Sequence, residues 1–312
     1  MRYFLHRLAR SLLLLAGVSV LAFLMFELAP GDYFSEMRLD PRISPESVAA
    51  MRARYGLDQP LTVRYWRWLG SAARGELGYS FAYGAPAGPM LWAAARRTAL
   101  LNGAAMLLAW LIAVPLGAWC AARRGRWPDR LATAVTGTLV VVPDVLLVLA
   151  LVMLAVRTRW LPAGGMTSPG GSGVALHMVL PVTALVLGSL PVLVRHVRAA
   201  VAETLETPFL RAARAHGIGP ARLLFRHALP AAANPLTTLF GFSLGALVSG
   251  SLVVEAITNW PGLGTLLLNA ILARDVFVVL GGVLLSTVFL LAGNFAADLL
   301  LYALDPRIRR PS

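Results

Sequence analysis

The sequence predicts an all-α polytopic membrane protein with six transmembrane helices, and three observations carry that prediction. Of 312 residues, 58% are hydrophobic and only 14% charged, whereas a soluble domain carries about 25% charged residues. Six apolar runs reach the length of about 20 residues that a helix needs to cross the hydrocarbon: 8–28, 98–122, 131–156, 174–194, 236–254 and 276–297, the last extending toward Leu304. The basic residues gather in alternate connections between these runs, a topological pattern rather than a nucleic-acid-binding one.

The first run follows Arg2, Arg7 and Arg10, and its uncharged core, 11–26, is longer than a signal-peptide core. No small-x-small cleavage site follows; Leu28-Ala29-Pro30-Gly31 reads as a helix ending at Pro. It is therefore expected to be an uncleaved span. The loop at 30–97 carries two short helices. In the first, Ser44 is an N-cap, Pro45 the first helical residue and Gly56 the stop, with Val48, Met51 and Tyr55 at helical spacing. The second covers 61–73, where Tyr65, Trp66 and Trp68 suit the membrane–water boundary. This loop reads as a lid lying on the membrane, or as a substrate-receiving surface.

Every basic residue is Arg. Sixteen of the 28 arginines lie on one side, before the first run, in the second-to-third and fourth-to-fifth connections, and at the C-terminus. The short loops opposite hold only Arg157, Arg159 and Arg274. The excess marks the cytoplasmic side and places both termini there. The chain thus divides into a cytoplasmic start with the first span (1–29), an extracytoplasmic loop (30–97), a five-helix core (98–304) and a cytoplasmic tail (305–312).

The segment 207–230, TPFLRAARAHGIGPARLLFRHALP, is an Arg-rich insert between two apolar runs. Thr207 caps a helix begun by Pro208, Gly217 breaks it, and Gly219-Pro220 opens a second helix expected to end at Ala228, before Pro230. Phe209, Ala212, Ala213 and His216 share one side of the first helix. Small alanines let a partner's surface come close; an amphipathic hairpin resting on anionic headgroups is the competing reading.

Polar groups inside the spans are costly and informative. Asp144 follows Pro143 near the middle of the third run. A central Asp costs about 3 kcal/mol, but twelve Leu or Val residues between Thr138 and Leu154, each contributing about −0.3 to −0.6 kcal/mol, still allow insertion. Asp144 either lines a translocation pathway, attracting a cationic group such as a peptide amino terminus or a metal ion, or makes an interhelical hydrogen bond. Glu255 ends the fifth run on the outer side, as part of an outer gate or as an interfacial helix-end carboxylate. Asn102, Asn294 and Asp298 read as joints between helices. Pro115, Pro143, Pro181 and Pro191 can kink their helices. The single Cys120 excludes an intrachain disulfide. With no Lys in the chain, a phosphate-binding P-loop is impossible, and no metalloprotease motif occurs. The chain is expected to be no enzyme and to bind no cofactor.

The arrangement Ala212-Ala213, three residues, Gly217, nine residues, His227-Ala228-Leu229-Pro230 resembles the EAA coupling loop (here 204–230) of binding-protein-dependent ABC importer permeases. Arg211 stands where that motif has Glu, and His227 where it has Ile. Further matches to the dipeptide, oligopeptide and nickel branch are Ala29-Pro30-Gly31-Asp32, Tyr55-Gly56-Leu57-Asp58-Gln59-Pro60-Leu61 and Gly75-Glu76-Leu77-Gly78 followed by Ser80. Ser249–Glu255, Trp260-Pro261-Gly262-Leu263-Gly264, Ala270–Asp275 and Asp305-Pro306-Arg307-Ile308 complete the set, so the resemblance spans nearly the whole chain.

The resemblance implies a type I ABC importer permease fold, with peptides as the expected substrate, forming half of a translocation pathway. It implies a second homologous permease subunit, two cytoplasmic ATPase subunits that bind ATP and Mg, an extracytoplasmic substrate-binding protein, and a bacterial or archaeal cytoplasmic (inner) membrane. It transfers ATPase coupling to Arg211, Ala212, Ala213, Gly217, Leu229 and Pro230. The Asp at position 144 departs from the Ser or Asn usual in the branch. The alternatives are an ion-coupled secondary transporter or channel acting without an ATPase, and a scaffold that transports nothing.

Overall fold

The computed structural model describes residues 2–28, 33–34, 44–54, 56–167 and 173–304. The motifs at 29–32 and 305–308, Tyr55 and the tail arginines lie outside the described residues. The molecule is built of helices, as expected, with one small addition. Tyr79–Ser80 (β1) pairs antiparallel with Ala85–Pro86 (β2), Tyr79 opposite Pro86 and Ser80 opposite Ala85.

The helices are α1 (Arg2–Leu28), α2 (Pro45–Arg54), α3 (Leu61–Ala73), α4 (Ala87–Ala122), α5 (Trp127–Val141), α6 (Asp144–Thr158), α7 (Val174–Leu205), α8 (Pro208–Ala215), α9 (Ala233–Ile257), α10 (Leu263–Leu272) and α11 (Val276–Leu304). Among the described residues, His6–Leu28, Ala87–Ala122, Val174–Leu205 and Val276–Ala296 are each long and apolar enough to cross a membrane. The pair α5 and α6 makes a fifth candidate if counted as one broken span. The remaining expected run, 236–254, lies within the 25-residue α9.

Two expectations about the helices need correction. The long loop ends early, because α4 begins at Ala87 and not near Thr98, so Arg96 and Arg97 are helical. At 36 residues, this helix is about 54 Å long, more than a bilayer needs. The third run is not one straight span either. It is two helices bent by 98°. Pro143 excludes Val142 from helical geometry, and both residues are extended, with ψ of 119° and 137°. Pro115, Pro181 and Pro191, by contrast, sit inside continuous helices.

The chain separates into two compact units, the first from 1–98 with Pro261–Leu291, the second from Ala99–Trp260 with the chain from Ala292 onward. The segment expected as one core, 98–304, is therefore shared between them. In the first unit, Ser44 Oγ accepts the Ser47 amide at 3.2 Å as the expected cap, and Gly56 turns the chain at φ 67°. Phe23 of α1, Trp68 of α3, and Val276 and Leu280 of α11 form its apolar cluster. Ser80 and Asp275, both fully buried, join β1 to the turn before α11.

In the second unit, Ala105, Ala109 and Ala113 of α4 are fully buried at intervals of one turn. Gly117 continues the series. A Cβ there would stand 2.9 Å from the Val194 carbonyl oxygen and 2.8 Å from the Val197 side chain. This small-residue stripe lets α4 and α7 approach closely, the way membrane helices gain packing without a hydrophobic driving force. Trp110 Nε1 donates to Ser243 Oγ at 3.1 Å, and Asn102 Nδ2 to Ser251 Oγ at 3.1 Å. Asn102 is thus a joint between helices, as read; the Asp298 side chain lies outside the described residues.

Candidate functional site: the elbow and the cavity at the broken span

The elbow follows α7. Thr207 has extended backbone before Pro208, as an N-cap should. Its hydroxyl donates instead to the Thr204 carbonyl at 2.7 Å, so the side-chain cap expected there does not form. Leu210 is the anchor, 1% exposed, and packs with Leu223, Leu224 and Ala228 against Ala118 and Ala121 of α4 and Val197 and Val201 of α7. Gly217 closes α8 at φ 81°, and the Ile218 amide reaches back to the Ala213 carbonyl. No heavy atom of the described residues lies within 4 Å of a Cβ built at Gly217, so its φ and not crowding is what calls for glycine.

Beyond Gly217 the second helix differs from expectation. Pro220–Arg222 is α-helical, Leu223–Ala228 is a π-helix, and helix continues through Leu229–Ala231. It does not stop before Pro230. Pro230 has no N–H to give to the turn beneath it and its ring crowds that turn; a widened turn accommodates both.

Anchoring Leu210 points the opposite side of α8 outward. Arg211, Ala212, Arg214 and His216 are exposed, and Phe209 is 53% exposed. Arg211 Nε donates to the Glu206 carbonyl at 2.9 Å, which lays this side chain along the elbow. Ala213 was read with Ala212 on one outward stripe; it is half-buried and packs on the elbow's own apolar cluster. Leu229 is half-buried and Pro230 exposed. Phe225, 54% exposed, adds a second outward aromatic that sequence reasoning missed; its position among buried Leu223, Leu224 and Ala228 appears only once the π-turn is known.

A charge network braces the same end of the unit. Asp129 and Arg198 form a two-pronged ion pair, with Arg198 Nη2 to Asp129 Oδ2 at 2.9 Å, and the Gly125 amide donates to the same oxygen at 2.8 Å. The carboxylate is 5% exposed. Arg124 pairs with Glu206 at 2.7 Å on the open surface.

Asp144 is the first residue of α6 and stands exposed at the bend, not midway along a straight span. It lines a cavity of about 250 Å³ with Gly188, Ser189, Leu239, Ser243 and Val254. Asp144 Oδ1 would lie 3.0 Å from a Cβ at Gly188, so the absent side chain makes room for the carboxylate. Ser189 Oγ donates to its own helix at Leu185, and Ser243 Oγ to Phe240. Among the described residues Asp144 makes no hydrogen bond or ion pair, and the interhelical bond read as an alternative finds no partner. Glu255 is fully buried and does not line this cavity.

Residues 113–310 match the family described as binding-protein-dependent transport system inner membrane component, and residues 1–92 match that system's N-terminal membrane component. A putative peptide permease protein of Brucella ovis is 33% identical, covering 99% of each chain. The oligopeptide transport system permease protein AppB of Bacillus subtilis is 33% identical over 98% of each. The glutathione transport system permease protein GsiC of Salmonella paratyphi A is 33% identical over 99% of each. In fold, a chain of the MetNI methionine ABC transporter in an inward-facing conformation superposes with a TM-score of 0.59 at 20% identity, over 69% of this chain and 96% of that one.

The chain belongs to the family of binding-protein-dependent transport system inner membrane components. It is a multi-pass permease subunit of an ABC importer, working with a substrate-binding protein and an ATPase, and it is not itself an enzyme. The ion-coupled and scaffold alternatives are thereby set aside.

Proposed function

We propose that this chain forms half of a peptide translocation pathway, paired with a second homologous permease and driven by two cytoplasmic ATPase subunits that carry the ATP and Mg²⁺. A substrate-binding protein delivers the ligand on the extracytoplasmic side, and the arginine distribution supports cytoplasmic termini. The peptide assignment draws on the relatives named as peptide permeases.

The observation that carries the coupling role is the division of labour within α8, where Leu210 is sealed in the unit while Phe209 and Ala212 face outward. Arg211, Ala212 and Gly217 shape the contact, with Ala213 holding the helix to its base and Leu229-Pro230 ending the loop. Asp144 supplies a negative charge to the pathway for a peptide's amino terminus or another cation. A gating role for Glu255 requires a conformation that uncovers it.

The experiment is Ala212→Trp. Ala212 is exposed, so the chain keeps its thermal stability, while the bulky ring blocks close docking. Substrate-stimulated ATP hydrolysis and uptake in the assembled transporter fall by at least about tenfold, a loss of about 1.4 kcal/mol of docking. Undiminished uptake would instead favour a hairpin resting on headgroups, which tolerates an added aromatic.

A further inference from the structure

The first unit holds a cavity of about 310 Å³ where two apolar helices end. Phe23, near the C-terminus of α1, and Val276 and Phe277, at the start of α11, line it together with Trp68 of α3. Arg64, Arg67 and Glu76 are the charged residues of the lining. Helix ends of this kind lie at a membrane–water boundary, and the aromatic band on α3, with Trp66 68% exposed, belongs there too.

The two arginines differ. Arg64 is committed, with Nη1 bonded to both carboxylate oxygens of Glu27, at 3.0 and 2.9 Å, and its guanidinium 5.8 Å from the centroid of Phe23. Arg67 folds over the turn, with Nη1 only 2.9 Å from where a Cβ of Gly56 would stand. The left-handed glycine, φ 67°, gives the guanidinium its seat. Among the described residues neither Arg67 nor Glu76 forms an ion pair. Among the described residues, the cavity therefore offers one cation and one anion outside any ion pair, beside the apolar side chains of Phe23, Val276 and Phe277, at a lipid boundary.

We propose that this cavity binds the headgroup of a phospholipid bearing a primary amine. The phosphate diester lies against Arg67, whose planar fork suits it. The ammonium lies against Glu76, and the first carbons of the lipid lie on Phe23, Val276 and Phe277. A carboxylate needs N–H donors opposite it, so a primary ammonium fits better than a quaternary one. An anionic headgroup without an amine would leave Glu76 unanswered. A free zwitterion, such as phosphoethanolamine or a dipeptide, carries the same charges but has nothing to place on those apolar side chains.

The test is a titration of the full-length chain in detergent with dihexanoyl phosphatidylethanolamine, its phosphatidylglycerol analogue, phosphoethanolamine and dialanine. The expected result is saturable binding of the phosphatidylethanolamine, weakened about tenfold by Arg67→Gln and by Glu76→Gln. Glu76→Gln leaves the phosphatidylglycerol unaffected. Both positions are exposed, and neither change touches the Arg64–Glu27 pair. Native mass spectrometry of the purified wild-type chain, which needs no variant, should show one retained phosphatidylethanolamine. The proposal is overturned if no such lipid is retained, if both variants bind like wild type, if phosphoethanolamine binds as tightly as the lipid, or if dialanine displaces it. None of these readouts involves the ATPase or the elbow, so failure here leaves the coupling assignment standing.

Discussion

Ser80 and Asp275, 195 positions apart in the chain, meet in a buried hydrogen bond of 2.5 Å, and the Ala82 amide joins the same carboxylate oxygen at 3.1 Å. The other oxygen faces the Val278 amide at the start of α11. One side chain thus ties the β1–β2 turn to the head of a long apolar helix.

Replacing Asp275 with Ala strands the fully buried Ser80 hydroxyl, while the Ala82 amide, on an exposed residue, can turn to water. One buried unsatisfied group costs about 1–3 kcal/mol, and the variant is expected to lose that much stability. Asp275→Asn keeps acceptor capacity and should lose less. Thermal unfolding of the purified chain in detergent measures both; equal melting for Asp275→Ala and wild type would contradict the structure.

Asp129 and Arg198 make a second such joint, between the head of α5 and the length of α7. Removing one partner leaves the other's charge enclosed. The Arg198 side chain is 31% exposed, which lets water soften the loss to about 1–3 kcal/mol. Asp129→Asn and Arg198→Gln should each lower the melting temperature, and the double variant should recover part of the loss. Strict additivity in that double-mutant cycle would mean the two side chains do not interact.

Two glycines of α4 should respond in opposite directions. At Gly117 a Cβ meets the Val194 carbonyl oxygen at 2.9 Å, so Gly117→Val forces α4 from α7 at a cost of about 1–3 kcal/mol. At Gly103 no heavy atom of the described residues lies within 4 Å of a Cβ. Gly103→Ala should be tolerated or stabilising by up to about 1 kcal/mol through helix propensity. Comparable expression and melting of the two variants would refute the close approach.

Asp144→Asn preserves shape beside Gly188 and removes only the charge. Uptake of a peptide with a free, positively charged amino terminus is expected to drop several-fold, roughly 1 kcal/mol of lost attraction. Uptake of the same peptide with an acetylated terminus should change little. Unchanged transport of both peptides, with normal expression, would remove Asp144 from the pathway.

The sequence by itself determined where the chain is apolar, where the two short helices of the 30–97 loop lie, and which turns need glycine. The bounds of α3, the Ser44 cap and the positive φ of Gly56 and Gly217 were all legible, because propensity, capping and turn chemistry act over a few neighbouring residues. The family motifs were legible for the same reason, being contiguous strings. Only the tertiary structure decided that the third run breaks at Val142-Pro143, since a hydropathy window sums transfer energies and does not register a dihedral angle. Only it could pair Ser80 with Asp275 and Asp129 with Arg198, seat Gly117 on the Val194 carbonyl, or turn Ala213 inward while Ala212 faces out. Those outcomes depend on which surfaces of distant segments meet, and a local pattern carries no information about the partner until the helices have packed.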